Sequence, residues 1–217
     1  MVKIVPSLVP IPDIDVHQRI VKDLRAAGFN LISFRINKLD YEAYIRRANY
    51  DQYDYYEYGS GQNFAEKSLE HYMAAKLLHL NIQDIYIDIA NSNSPTPQIY
   101  NQLFGCKSYR QDLIFPEGVN GFTIGGDASK MPISDEFASA MALHCSFEHF
   151  EKDADIRFIQ EASRVLKPGG RLCILPLYLH TEYAIQTDLA ELPKGGFTFD
   201  IKSKEQSKKT KYVYLQY

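Results

Sequence analysis

Long apolar runs, paired cysteines and a surplus of one charge are all missing from this 217-residue chain. Nowhere do roughly eighteen apolar residues run together, the length a membrane-spanning helix needs, so no membrane partner is expected. Three cysteines (Cys106, Cys145 and Cys173) cannot form a closed disulfide set and show no Cys-x-x-Cys spacing. A reducing cytoplasm, with the thiols as small buried hydrophobes, is the simplest home. Pro6, Pro10, Pro12, Asp13 and Asp15 break up the early Val, Ile and Leu, so no signal peptide is expected. Lys and Arg number 24 against 27 Asp and Glu, a net charge of −3 that argues against nucleic acid as the main partner. What is present, 45% hydrophobic and 24% charged residues, is the balance of an ordinary globular domain.

The first eighty residues read as helical. Val16, Ile20 and Leu24 share a face, with Gly28 placed to end the helix, and Asp40 is the expected N-cap of a second. Tyr50, Tyr53, Tyr55, Tyr56 and Tyr58, interspersed with acids, lead to Gly59-Ser60-Gly61. A third helix over 64–80 turns Phe64, Leu69, Met73, Leu77 and Leu80 toward a core. From residue 84 short apolar runs alternate with helical patterns: strands near 85–90, 107–111, 122–125, 138–143 and 171–176, and helices near 96–104 and 153–166. That rhythm predicts an α/β fold with a mainly parallel sheet. Residues 197–201 and 212–217 alternate like strands and are expected to add a C-terminal antiparallel edge, on either side of a lysine-rich loop. The division expected is a helical cap or lid over 1–63 and a main domain over 64–217.

In open α/β sheets ligands bind outside the C-terminal strand ends. Asp88, Asp112 and Asp127 fall at or near such ends, and Asp112 follows Asp88 at a spacing suited to a ribose-binding acid. Such a site suits an unphosphorylated ribose with a positive centre. There is no P-loop, no Ser-His-Asp or Cys-His order, and no glycine fingerprint of a nicotinamide dehydrogenase. His144, Cys145, Glu148 and His149 straddle a strand-to-helix transition and are not expected to converge, so no metal is assigned.

Tyr86-Ile87-Asp88-Ile89-Ala90, Gly126-Asp127-Ala128 followed by Met131-Pro132, Ser146 to Phe150, and Val165-Leu166-Lys167-Pro168-Gly169-Gly170 occur in order. Together they resemble the class I S-adenosylmethionine-dependent methyltransferases, specifically the type 11 small-molecule group, over roughly residues 66–178. The resemblance implies a Rossmann-like sheet, S-adenosylmethionine as cofactor and a small-molecule acceptor. It implies that Asp88 orients the methionine ammonium, Asp112 holds the ribose hydroxyls, Asp127 accepts from the adenine amine, and the Ala128 amide meets the ring. His144 would line the cofactor near the reacting methyl and is a candidate base, while Tyr53, Tyr56 and His149 are candidates for the acceptor pocket. The family's first loop, Asp-x-Gly-x-Gly-x-Gly, reads here Asp88-Ile89-Ala90-Asn91-Ser92-Asn93-Ser94, with no glycine. Ala90, Asn91 and Ser92 are then the loop residues expected at the cofactor. The alternative is a catalytically silent methyltransferase-like binding domain.

Overall fold

A computed structural model describes residues 3–6, 14–53, 64–150, 152–177, 184–187 and 213–216. Its elements, in order, are β1 (Lys3–Pro6), α1 (Ile14–Ala26), α2 (Lys38–Ala48), a 3-10 turn (Tyr50–Tyr53), α3 (Phe64–Leu78), β2 (Ile85–Ile89), α4 (Thr96–Phe104) and β3 (Lys107–Asp112). Then come β4 (Gly118–Asn120), β5 (Thr123–Gly125), β6 (Ala138–His144), a 3-10 turn (Phe147–His149), α5 (Ala154–Val165), β7 (Leu166–Leu175), β8 (Ala184–Thr187) and β9 (Val213–Gln216). They divide into two units, Arg35–Pro176 and a second made from Met1–Phe34 with Leu177–Tyr217. Among the described residues no helix is long and apolar enough to cross a membrane.

The continuous unit holds a six-stranded sheet in the order β4-β5-β3-β2-β6-β7. All neighbours are parallel except β4 and β5. The chain runs outward from β2 to β5, then returns to β6 on the other side of β2, so the order reverses beside Asp88. The antiparallel edge differs in origin from the one anticipated. It is β4, folded onto β5 across a two-residue loop whose first residue, Gly121, has φ 61°, a geometry that favours glycine. β9 instead pairs antiparallel with β8, and β8 lies parallel to β1, in a three-stranded sheet of the other unit. The expected strand at 197–201 and the lysine-rich loop lie outside the described residues.

Side chains alternate across the strands, so the sheet has two cores. One face carries Tyr86, Ala140, Ala142 and Cys173 against α2, α3 and α4, with Tyr44, Tyr50, Tyr72 and Tyr100 buried among them. The alanines of β6 leave room for those rings. The other face carries Ile87, Ile89, Met141 and Leu143, with Phe158, Ala162 and Val165 of α5 packed over them. Asp88 and His144 follow the period of two onto the first face, beside α3.

Tyr44, Ala48 and Tyr50, before the expected boundary at 63/64, are buried in the same cluster as Tyr72, Tyr86 and Tyr100 after it. Two expectations change here. Asn37, not Asp40, caps α2: its side chain accepts from the Asp40 amide at 3.2 Å. Asp40 instead takes Lys76 Nζ at 2.6 Å and the Tyr72 hydroxyl at 2.9 Å. Leu77 of α3 is 44% exposed, while the buried side includes Ser68, Glu70 and His71.

Candidate active site

At the end of β2 the backbone turns sharply. Ala90 (φ 51°), Ser92 (45°) and Asn93 (66°) all adopt left-handed backbone, which residues with a Cβ usually avoid. The end of β3 holds them there. The Asn91 amide donates to the Gln111 carbonyl at 3.0 Å, the Ala90 amide to Gln111 Oε1 at 3.3 Å, and the Ser92 amide to Asp112 Oδ2 at 2.7 Å. The other Asp112 oxygen accepts from the Ile114 amide at 3.1 Å. Gln111 Nε2 donates to the Gly126 carbonyl at 2.6 Å, so one side chain links the ends of β2, β3 and β5.

The Asp88 carboxylate is buried. It accepts from the Tyr86 hydroxyl at 2.7 Å and from Asn91 Nδ2 at 2.5 Å, and lies 3.4 Å from His144 Nε2. Burial pushes its carboxyl up to about 7, against the hydrogen bonds from Tyr86 and Asn91 that favour the anion. Burial, with Lys67 nearby, holds the His144 imidazole down to about 3. That direction favours the neutral ring and weakens His144 as a proton acceptor. Behind it stands His71 of α3, edge-on at 4.8 Å between ring centroids, with hydrogen bonds to the Tyr50 hydroxyl and Thr96 Oγ1. His144 Nδ1 and Asn91 Oδ1 are buried with no hydrogen-bond partner.

Asp127 reaches the same edge through two glycines. A Cβ on Gly125 would lie 1.9 Å from the Pro116 carbonyl oxygen, and Gly126 has φ 122°, so the close approach and the turn both require glycine. Asp127 is exposed, and its Oδ1 accepts from the Ser129 amide at 2.8 Å. Ala128 is buried in the second core.

The structure thus brings Asp88, Ala90, Asn91, Ser92, Asp112, Asp127 and His144 to the C-terminal strand ends. It does not bring Tyr53 there. The Tyr53 hydroxyl donates to Gln102 Oε1 at 3.4 Å, in the last turns of α4, the helix that starts beside the site and runs back along the sheet. Tyr56 lies outside the described residues, and His149 is exposed on the turn after β6. Sequence reasoning passed over Tyr86, Gln111 and His71. For Tyr86 and Gln111 a signal existed: each neighbours a predicted site residue along a strand, two positions or one away.

A mainly parallel sheet whose order reverses beside an acidic strand end, with further acids on the next two strands, defines an α/β architecture in which ligands bind across those ends. Residues 56–174 match the family model described as methyltransferase domain, over half of the chain. The protein belongs to that family, the class I S-adenosylmethionine-dependent methyltransferases.

Among solved structures, the 1,6-didemethyltoxoflavin-N1-methyltransferase of Burkholderia thailandensis, with bound 1,6-didemethyltoxoflavin and S-adenosylhomocysteine, is 11% identical. It aligns over 86% of this chain and 76% of its own at a TM-score of 0.50, a likeness of fold. The MccD protein is 17% identical over 49% of this chain and 51% of its own, with a TM-score of 0.43. The YcgJ protein of Bacillus subtilis is 13% identical over 54% and 50%, with a TM-score of 0.40. The match spans about half the length of those two proteins. No curated protein sequence matches the chain.

Proposed function

We propose that the protein transfers the methyl group of S-adenosylmethionine to a small-molecule acceptor. The observation that carries this reading is the loop from Ala90 to Asn93. It keeps left-handed backbone although it has no glycine, so it has the open form a cofactor needs, with only small side chains at Ala90 and Ser92. Asp112 fits as well. Each of its oxygens accepts one backbone amide, and a carboxylate has about four lone-pair positions, which leaves acceptors for the two ribose hydroxyls.

In this reading Asp88 faces the methionine ammonium, Asp112 the ribose, Asp127 the adenine amine, and the Ala128 amide the ring. The bound cofactor supplies an electrophilic methyl on a sulfonium. The chain's own residues orient and desolvate. Asp88 and Asn91 fix one end and Asp112 the middle, while the buried His144 ring, 3.4 Å from Asp88, lines the same strand end. Holding two reactants in line is sufficient for large accelerations of such a displacement.

A second reading is a silent binding domain, favoured by the Cβ atoms of Ala90 and Ser92, which stand where the family has glycine. Calorimetric titration with S-adenosylmethionine and S-adenosylhomocysteine separates the two. One site per chain is expected for both ligands, weakened by roughly 1.5–3 kcal/mol in Asp127→Ala and at least as much in Asp112→Ala, which also releases the Ser92 amide. Absence of binding by the unaltered chain would establish the silent domain.

A further inference from the structure

We infer that Glu66 and Glu70 of α3 and Cys145, the residue after β6, form a site for one zinc-like divalent cation. Two observations lead there. Glu66 and Glu70 are one helical turn apart, so both carboxylates rise from the same face of α3. One oxygen from each and Cys145 Sγ all lie within 4.8 Å of one another. Ligand atoms around one tetrahedral zinc, with bonds of about 2.0–2.3 Å, are roughly 3–4 Å apart. A rotamer adjustment of about an ångström therefore closes the set around an ion.

The second observation is an orphaned atom. The Glu70 side chain is only 9% exposed, and its Oε2 is buried with no hydrogen-bond partner. Its Oε1 accepts from Cys145 Sγ at 3.2 Å and faces Lys67 Nζ at 3.6 Å. Glu148 Oε2, on the turn just beyond Cys145, is likewise buried without a partner. Burying unsatisfied carboxylate oxygens costs several kcal/mol unless a proton or a cation meets them. Lys67, whose side chain is 23% exposed, supplies a single positive charge to this group. Its ammonium marks the place where positive charge is favoured, and an ion bound there would displace it.

The donor set selects the ion. One thiolate with two carboxylates suits zinc rather than magnesium or calcium, which prefer oxygen alone. Three protein ligands leave the fourth position of a tetrahedron open. Glu66 is exposed, so that position has a route to solvent. Cys145 follows His144 directly, which places the ion at the strand end where the acceptor is expected. An acceptor hydroxyl or thiol bound there would lose its proton to solvent more readily. The cation site itself does not depend on the cofactor reading.

The test is titration of the full, EDTA-stripped chain with zinc chloride, followed by calorimetry, together with the near-ultraviolet spectrum of the cobalt(II)-loaded protein. One zinc per chain and a thiolate-to-cobalt charge-transfer band are expected. Glu70→Gln and Cys145→Ser should each lower affinity at least tenfold, Cys173→Ala should leave it unchanged, and Lys67→Met should raise it severalfold. Circular dichroism checks that each variant is folded. If Cys145→Ser does not fold, the cobalt band of the unaltered chain decides, since only a bound thiolate produces it. No stoichiometric zinc, no thiolate band, or unchanged affinity in folded Glu70→Gln and Cys145→Ser would each overturn the site. Zinc binding without binding of S-adenosylhomocysteine would leave this inference standing and remove the proposed methyl transfer.

Discussion

Ala90 and Ser92 do the work of glycines without being glycines. Left-handed backbone costs a residue with a Cβ roughly 1–2 kcal/mol, and here the bonds from Gln111 and Asp112 hold both residues in it. Ala90→Gly and Ser92→Gly should therefore each stabilise the protein by about 0.5–1 kcal/mol, the strain relieved less the extra freedom glycine gains when unfolded. Asn93→Gly should gain less, because asparagine tolerates this backbone better. Urea unfolding is the check, read as a higher midpoint at unchanged slope. A lower midpoint for both glycine variants would mean that the loop is not held left-handed. The sequence marks these positions as departures from the family pattern. It cannot say that they keep the glycine geometry, because the bonds that impose it come from β3, some twenty residues away.

Among the elements, α5 has a second task besides covering the sheet. Arg164 donates to Glu161 at 2.6 and 2.9 Å and to Asp135 at 2.7 Å. It also donates to the carbonyls of Met131 and Ile133, while Glu161 accepts from the Met131 amide at 2.6 Å. One guanidinium thus ties the loop after Asp127 to the helix. Arg164→Ala should destabilise by about 2–3 kcal/mol, the range for hydrogen bonds to charged groups. Arg164→Lys should recover only part, since an ammonium cannot span the same acceptors. Thermal unfolding gives the first effect, and faster amide exchange over 127–133 shows the loosened loop. If both variants unfold like the unaltered chain, the Arg164 network contributes nothing to stability. Elements of this kind were largely legible: α4 spans the expected 96–104, and the five parallel strands fall where their apolar runs place them. The tyrosine-rich stretch was not. Tyr50 has the composition of a surface lid yet is 2% exposed, because the Tyr44 hydroxyl and His71 Nδ1 satisfy its own hydroxyl inside the core. Nothing local to residues 50–58 reveals partners on α2 and α3.

On the scale of the whole molecule, Asp88 links proton binding to stability and, in the proposed reading, to ligand binding. Its carboxyl is raised from 3.8 to about 7, so between those values the folded chain holds a proton the unfolded chain has released. Its contribution to stability is full at acid pH, is lost as pH rises toward 7, and is flat above. A cationic ligand group beside it reverses the preference. Binding an ammonium favours the anion, so at about pH 6 S-adenosylhomocysteine should release up to one proton per chain. Its affinity should rise with pH and level off near 7. Calorimetry in two buffers of different ionisation enthalpy measures the proton directly, and Asp88→Asn should abolish it. An affinity independent of pH would show that Asp88 does not face the ammonium.

The two units also set an order of events in time. The three-stranded sheet pairs β1 with β8 and β8 with β9, so it joins segments on either side of the uninterrupted stretch Arg35–Pro176, which builds the whole of the candidate site. Closing that sheet around an unfolded stretch of on the order of 140 residues costs roughly 4 kcal/mol in loop entropy. Once the intervening unit has folded, its 142 residues no longer count as flexible loop, and that cost falls. During synthesis the unit that holds the candidate site is therefore complete before β8 is made, and β1 waits for a partner that lies beyond it in the chain.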